Sequence, residues 1–287
     1  MTSAWSVVIV TQGDRPAALG RALASVAAQR DVDLEVIVVG NGWEPTGLPP
    51  GVVGVAVSEN VGAPGGRNWG LAAAKAQLLF FLDDDAALTD SSTLATLGSA
   101  LGADPQLGVV QIRIRSAEGV TARRWVPRLW DKNPERSSPV VTVVEGAVAV
   151  RRAVLEATDG WAGRFRYAHE GIELAWRAWD AGYRVEYNAN LAAEHPLTSR
   201  DRHPDHLRHD SRNRVWLARR NLPCLLGVGY VVNWSAVTLV RNARHPSVLR
   251  AWCAGAKEGL RAEAGKRRPL SWRAIWTMTR LGRPPVI

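Results

Sequence analysis

Three consecutive carboxylates, Asp83-Asp84-Asp85, close the apolar run Leu78–Leu82. Like charges at the end of a buried strand repel one another, and a hard divalent cation relieves that repulsion through oxygen ligands. A solvated turn accommodates the same residues, at a cost in charge repulsion. Upstream, Asn60-Val-Gly-Ala-Pro-Gly-Gly-Arg-Asn-Trp-Gly70 places glycines at 62, 65, 66 and 70 around the start of an expected helix. Glycine lets backbone approach a ligand closely, and the free amides of a helix start suit an anion. Arg67, within that segment, can pair with a phosphate. The loop is not G-x-G-x-x-G, none follows the first strand, and G-x-x-x-x-G-K-[ST] is absent. Hydride transfer and a P-loop ATPase are therefore poor readings.

These groups need a scaffold that gathers strand ends. The 287 residues, 46% hydrophobic and 22% charged, suffice for one large domain or two modest ones. Trp5–Val10, Leu34–Val39, Val52–Val57 and Leu78–Leu82 read as buried strands. A helix capped by Asp14 and another over Ala63–Ala76 are expected between them. This alternation predicts a mostly parallel α/β sheet covered on both faces, with ligands beyond the carboxyl ends of its strands. Leu107–Ile114, Val140–Val150 and Tyr183–Tyr187 are strand-like, and Ile172–Ala181 is helical. Ser116–Pro139, rich in Arg, Trp and Pro, reads as a long loop or lid. Past about residue 198 the chain becomes Arg-rich and helical.

The first strand with Thr11 and Arg15, the glycine loop and the Asp triplet resemble the nucleotide-sugar half of family 2 glycosyltransferases with the GT-A fold. Farther on come Glu145-Gly146-Ala147, Asp159-Gly160-Trp161, Phe165-Arg-Tyr-Ala-His-Glu-Gly-Ile-Glu-Leu-Ala-Trp-Arg177 and Trp179-Asp-Ala-Gly-Tyr-Arg184. They look like the family's acceptor-side block, in which an acidic pair precedes D/E-L-x-x-R on a helix. The similarity spans roughly residues 5–197. It implies a GT-A catalytic domain over 1–197, with a nucleotide-sugar half (1–115) and an acceptor half (116–197). A basic helical extension then covers 198–287.

Carried over by that resemblance, Asp85 binds a Mn2+ or Mg2+ ion bridging the donor diphosphate. Asp83 faces the ribose and the metal, and Asp84 lies between them, toward sugar or ribose. Thr11, Arg15 and Asn41 fall where the family grips base and ribose. Asn60, Gly66 and Arg67 belong to the loop that steadies the nucleotide sugar. His195, just after Glu194, falls where many members place a histidine metal ligand. Two departures stand out. Gly40-Asn41 replaces the acidic residue often found at the end of the second strand. Gly171 occupies the usual place of the catalytic base, which leaves Glu170 as first candidate and His169 and Glu173 as alternatives. A plain helix-start charge also explains Glu170.

The implied reaction is one inverting displacement, from a UDP-, GDP- or dTDP-sugar to an acceptor hydroxyl. Metal and Arg67 neutralise the leaving diphosphate while a carboxylate takes the acceptor proton. A lipid-linked or cell-envelope acceptor is expected. A natural-product or peptide acceptor, or a nucleotide-sugar-binding protein impaired in turnover, are the alternatives.

The net charge of +9 conceals an asymmetry. Residues 200–287 carry 18 Lys+Arg against 5 Asp+Glu, and the remainder 18 against 22. A basic tail on a mildly acidic body predicts an anionic partner. Arginine interleaved with tryptophan suits an anionic membrane surface, and equally a helical subdomain packed on the body. The tail contains no helix-turn-helix or stacking platform, which argues against nucleic acid. Cys224 and Cys253 make no disulfide framework or zinc motif. The first residues show no basic leader. The most apolar stretch, Leu222–Val240, is interrupted by Pro223, Gly227, Gly229 and Asn233, which argues against a spanning helix. A cytoplasmic protein, peripheral at the inner face of the cell membrane, is the expectation.

Overall fold

The computed structural model describes residues 2–197 and 205–287. The β-branched runs form the centre of the sheet. Strands β1 (Ser3–Thr11), β2 (Val32–Asn41), β3 (Val52–Val57) and β4 (Leu78–Asp83) lie parallel in the order β3-β2-β1-β4. Beyond β4 come β8 (Ala147–Arg151), antiparallel to its neighbours, then β6 (Leu107–Arg115) and β9 (Arg184–Glu194), which pair in parallel. Two-residue strands β5 (Ala87–Leu88) and β7 (Ser138–Pro139) add to β9. The sheet is mixed but mostly parallel, as the alternation predicted.

Both faces are covered. Val7, Ile9 and Phe80 pack under α1 (Pro16–Ala27) and α3 (Thr93–Ala103), through Leu19, Leu23, Leu94 and Leu97. Val8, Val39 and Phe81 face the opposite layer with Val154, Leu155 and Leu174 of α4 (Arg152–Thr158) and α5 (Glu170–Asp180). The period-two switch between Val7 and Val8 is thus read out as two cores. On this second face α2 (Ala63–Ala73) lies close against β1. A Cβ at Gly66 would meet Val10 Cγ1 at 2.5 Å, and one at Gly70 would meet Val8 Cγ1 at 2.2 Å. Those two glycines, one helical turn apart, permit the close approach of helix and strand.

Several elements differ from expectation. Helix α1 is preceded by Arg15, with no side-chain cap, so Asp14 does not cap it. Helix α2 stops at Ala73, since Ala74 is extended. Of the run 140–150 only Ala147–Val150 joins the sheet, in a strand that ends at Arg151, whereas the strand expected to end at Tyr187 continues to Glu194. That continuation carries the chain along β6 and delivers His195 to the end of the sheet.

The tail forms four helices among the described residues: α6 (His206–Asn221), α7 (Cys224–Arg241), α8 (Pro246–Arg261) and α9 (Trp272–Arg280). The junction expected at 197/198 borders residues 198–204, which lie outside the described residues. The tail packs on the acceptor side through a third core that joins Phe165 and Trp176 to Trp216, Leu217, Tyr230 and Met278. Despite its glycines and Asn233, α7 is one continuous helix of 18 residues, long and apolar enough to cross a bilayer by length and composition. Glycine interrupts hydrophobicity more than helicity when one face is packed.

Candidate nucleotide-sugar and metal site

The carboxyl ends of β1 and β4, the start of α2 and the residue after β9 surround an open cleft of about 540 Å³. Its lining includes Thr11, Arg15, Asn41, Asn60, Asp83, Asp84, Asp85 and His195, eight residues singled out from the sequence. A hollow of about 590 Å³ between α1 and residues 43–52 carries no titratable side chain, so the chemistry belongs to the smaller cleft.

The three aspartates have different environments. Asp84 is buried and turns inward, accepting from Thr11 Oγ1 at 2.6 Å and pairing with Arg15 at 2.6 Å. Burial pushes its carboxyl up to about 6, with Asp85 and Asp83 adding and Thr11 and Arg15 opposing. It braces the corner while still lining the cleft. Thr11 is likewise used inward, since its hydroxyl also accepts from the Gly13 amide. Asp85 pairs with Arg15 through one oxygen and lies 3.1 Å from His195 Nε2 through the other. Asp83 is the most exposed of the three and lies 3.8 Å from the same imidazole nitrogen.

One ligand atom from each of Asp83, Asp85 and His195 therefore falls within 4.8 Å of the other two. Two carboxylates and an imidazole form a donor set suited to Mn2+ and compatible with Mg2+. Burial works against protonation of His195, but its bond to Asp85 and the charges of Asp83 and Asp85 outweigh that and raise its pKa. Excess negative charge is thus focused where a cation fits. Trp125, from a short turn within the expected lid (Arg123–Trp125), sets its ring edge against His195 at 5.5 Å and fixes the imidazole from the side.

Asn41 is buried; its Oδ1 accepts from the Val61 amide at 2.8 Å and its Nδ2 donates to Asn60 at 3.1 Å. Both residues shape the glycine loop at the cleft wall. Gly66 does not reach the cleft. It packs on Val10, so its lack of a side chain serves the helix–strand contact rather than a ligand. Gly62 has φ +79°, and a Cβ there would lie 2.3 Å from the Arg166 carbonyl oxygen. Arg67 is buried and spans the two halves, with Asp83 at 3.2 Å, Glu170 at 3.4 Å and the Trp161 ring centroid at 5.0 Å.

On the acceptor side the three base candidates separate. Glu170 points at Arg67, and burial raises its pKa against the pull of Arg67. His169 is closed off by a 3.0 Å contact with Asp210 of α6, while burial and Arg214 lower its pKa. Glu173 faces the tail instead of the cleft, gripped by Arg177 at 2.9 Å, Arg220 at 2.7 Å and Asn221 at 2.9 Å. It ties α5 to α6.

Sequence reasoning missed what α6 and the turn before α5 supply. Asp205, His209, Arg166 and Tyr167 line the cleft, and Asn213 Nδ2 donates to the carbonyls of Phe165, Tyr167 and Ala168. That turn holds Arg166, Ala168 and His169 at positive φ. Each such non-glycine conformation costs on the order of 1–3 kcal/mol and needs outside support. The one available signal was the density of His and Asp around 201–210. Glu145 was read as part of a motif and not as a site, yet its carboxylate accepts from the Gly171 amide at 2.5 Å.

The comparisons agree with this architecture. Among solved structures, S. aureus TarS 1-349 superposes with a TM-score of 0.57 at 18% identity, covering 76% of this chain and 65% of that one. A mannosyltransferase from Pyrobaculum calidifontis, PcManGT in complex with GDP-Man and Mn2+, gives 0.57 at 18% identity over 92% of this chain and 77% of that one. GalNAc-T7 with UDP, GalNAc and Mn2+ gives 0.59 at 16% identity, covering 75% of this chain and 47% of that one. The chain thus spans just under two thirds of the TarS fragment and about half of GalNAc-T7. No curated protein matches it by sequence search. The model of "Glycosyl transferase family 2" matches residues 6–170, more than half of the sequence. With the GT-A sheet and an acidic strand end in place, the chain belongs to glycosyl transferase family 2.

Proposed function

We propose that the chain transfers a sugar from a nucleoside-diphosphate sugar to an acceptor hydroxyl, inverting the anomeric centre with the help of Mn2+ or Mg2+. The observation that carries this reading is the convergence of Asp83, Asp85 and His195 at one end of the cleft, with Arg67 reaching from that end to Glu170. A cation held by those three residues supplies Lewis-acid charge to a diphosphate. Arg67 adds a fixed guanidinium whose position needs no reorganisation, because Trp161 and two carboxylates already hold it. Arg15 balances Asp84 and Asp85 and keeps the corner compact. The acceptor oxygen would approach from the α5 side, where carboxyl groups can receive its proton. UDP- and GDP-linked donors come first, since solved neighbours carry UDP, UDP-GlcNAc or GDP-Man.

The acceptor we propose is a lipid-linked or cell-envelope glycan, used by a cytoplasmic enzyme docked at the inner face of the membrane. Supporting it, Leu225, Val228, Val232 and Leu239 follow helical spacing along the exposed side of α7. Arg241 and Arg244 stand exposed at its end, and no acidic residue occurs between Asp210 and Glu258. An apolar stripe bordered by arginine suits a headgroup layer. Co-sedimentation with phosphatidylglycerol vesicles, but not with phosphatidylcholine alone, is the expected result; Val228→Asp/Val232→Asp should abolish it.

A panel of sugar nucleotides with Mn2+ tests the transferase reading. Metal-dependent thermal stabilisation by one donor and release of its nucleoside diphosphate are expected. Binding without release would favour the impaired protein that Gly171 suggests.

A further inference from the structure

We propose that Glu145, which enters from the segment before β8, is the general base of the transfer. Its carboxylate takes the proton of the acceptor hydroxyl as that oxygen bonds to the anomeric carbon. The diphosphate leaves with the electron pair of the broken C–O bond. This assignment rests on the transferase reading above.

The geometry at Gly171 carries it. A Cβ at that position would lie 2.2 Å from Glu145 Oε1 and 2.4 Å from the Val143 carbonyl oxygen. No side chain fits there, and the Glu145 carboxylate is one of the two groups that fill the space. The missing acidic residue on α5 and the carboxylate arriving from the neighbouring segment are two aspects of one arrangement. The Gly171 amide, a free donor in the first turn of α5, fixes the incoming carboxylate at 2.5 Å.

Of the two adjacent carboxyl groups, Glu145 is also the better placed. Glu170 is 4% exposed, with one oxygen on Arg67 and the other buried without a partner. Glu145 is only half-buried as a residue, against the buried Glu170, and its carboxylate is held in place by the Gly171 amide. The groups acting on it are Glu170 from α5, Arg67 from α2 and the Gly171 amide. Burial, then Glu170, raise its pKa against the pull of Arg67. A carboxylate raised in this way pulls harder on a proton than a solvated one.

A helix-capping role for Glu145 makes a different prediction, because glutamine can still accept from the Gly171 amide but cannot take a proton. The test uses the full chain with Mn2+, UDP-GlcNAc and GDP-Man as donors, and water as the acceptor, reading nucleoside diphosphate release. Glu145→Gln should keep the melting temperature and the donor Kd while kcat falls on the order of 100-fold. The rise of rate with pH should flatten in that variant. A Glu145→Gln rate within about threefold of wild type, or an unchanged rise of rate with pH in that variant, overturns the assignment and leaves the transferase reading intact. A wild-type chain that binds donor and Mn2+ yet releases no diphosphate overturns both.

Discussion

The two sides of the cleft are held together in different ways. The donor corner is self-contained: Thr11, Arg15 and the Asp83–Asp85 run lie at adjacent ends of β1 and β4 and satisfy one another directly. The acceptor side depends on the tail. Its turn Arg166–His169 carries three non-glycine residues at positive φ, held by Asn213 and Arg212 of α6. Charge on the donor side is compensated within the sheet. On the acceptor side, His169, Asp210, Arg214 and Tyr230 form a chain that runs into the helical extension. The tail is therefore part of the site, whatever it also meets outside.

Arg67 pairs with a carboxylate on each side, so removing it should break the comparison most. Arg67→Met leaves Asp83 and Glu170 without their shared cation. A loss of about 3–5 kcal/mol is expected from denaturant unfolding, since an abandoned buried charge is costly. Nucleoside diphosphate release should fall together with stability.

Asn213→Ala should separate the sides. It removes the donor to three carbonyls of a strained turn, for an expected loss of about 1–3 kcal/mol. Donor and Mn2+ affinity measured by calorimetry should stay the same while kcat falls. Parallel loss of donor binding would show that the donor corner is not self-contained. Gly66→Ala probes the other side. Its new methyl must push on Val10, costing about 1–3 kcal/mol by overpacking, and donor affinity should weaken more than kcat.

The pH dependence should have opposite sign on the two sides. Burial opposes ionisation of Asp210, but Arg214 and His169 outweigh it and hold the carboxylate well below its usual range. Its folded pKa is depressed, so its stabilisation is complete above the unfolded value of about 4 and is lost as pH falls below it. Asp84 is raised to about 6, so in the metal-free chain its ionisation costs stability as pH climbs from about 4 to about 6. Hydrogen exchange should show the 166–169 turn loosening at acid pH, and the end of β1 loosening as pH rises through that upper window.

The same contrast explains what could be read from the chain alone. Strand runs, the Asp triplet and Arg67 are legible because their chemistry sits in short contiguous segments whose period and turn residues are local. His195 was legible by its place after Glu194, although the strand delivering it runs seven residues past the expected end. Gly66 misled because sequence gives residue type without direction: it packs on Val10. Glu173 misled for the same reason, its partners Arg220 and Asn221 lying more than forty positions away. Glu145 was hidden because its place depends on its close approach to Gly171, which only the folded chain displays.

The central claim is a divalent cation held by Asp83, Asp85 and His195 against a diphosphate. Mn2+ titration followed by electron paramagnetic resonance, in the presence of UDP and separately of GDP, tests it directly. One Mn2+ should bind per wild-type chain in the presence of one of the two nucleotides, and the bound signal should disappear in Asp85→Ala and weaken at least about tenfold in His195→Ala. Undiminished stoichiometric binding in both variants would contradict the account.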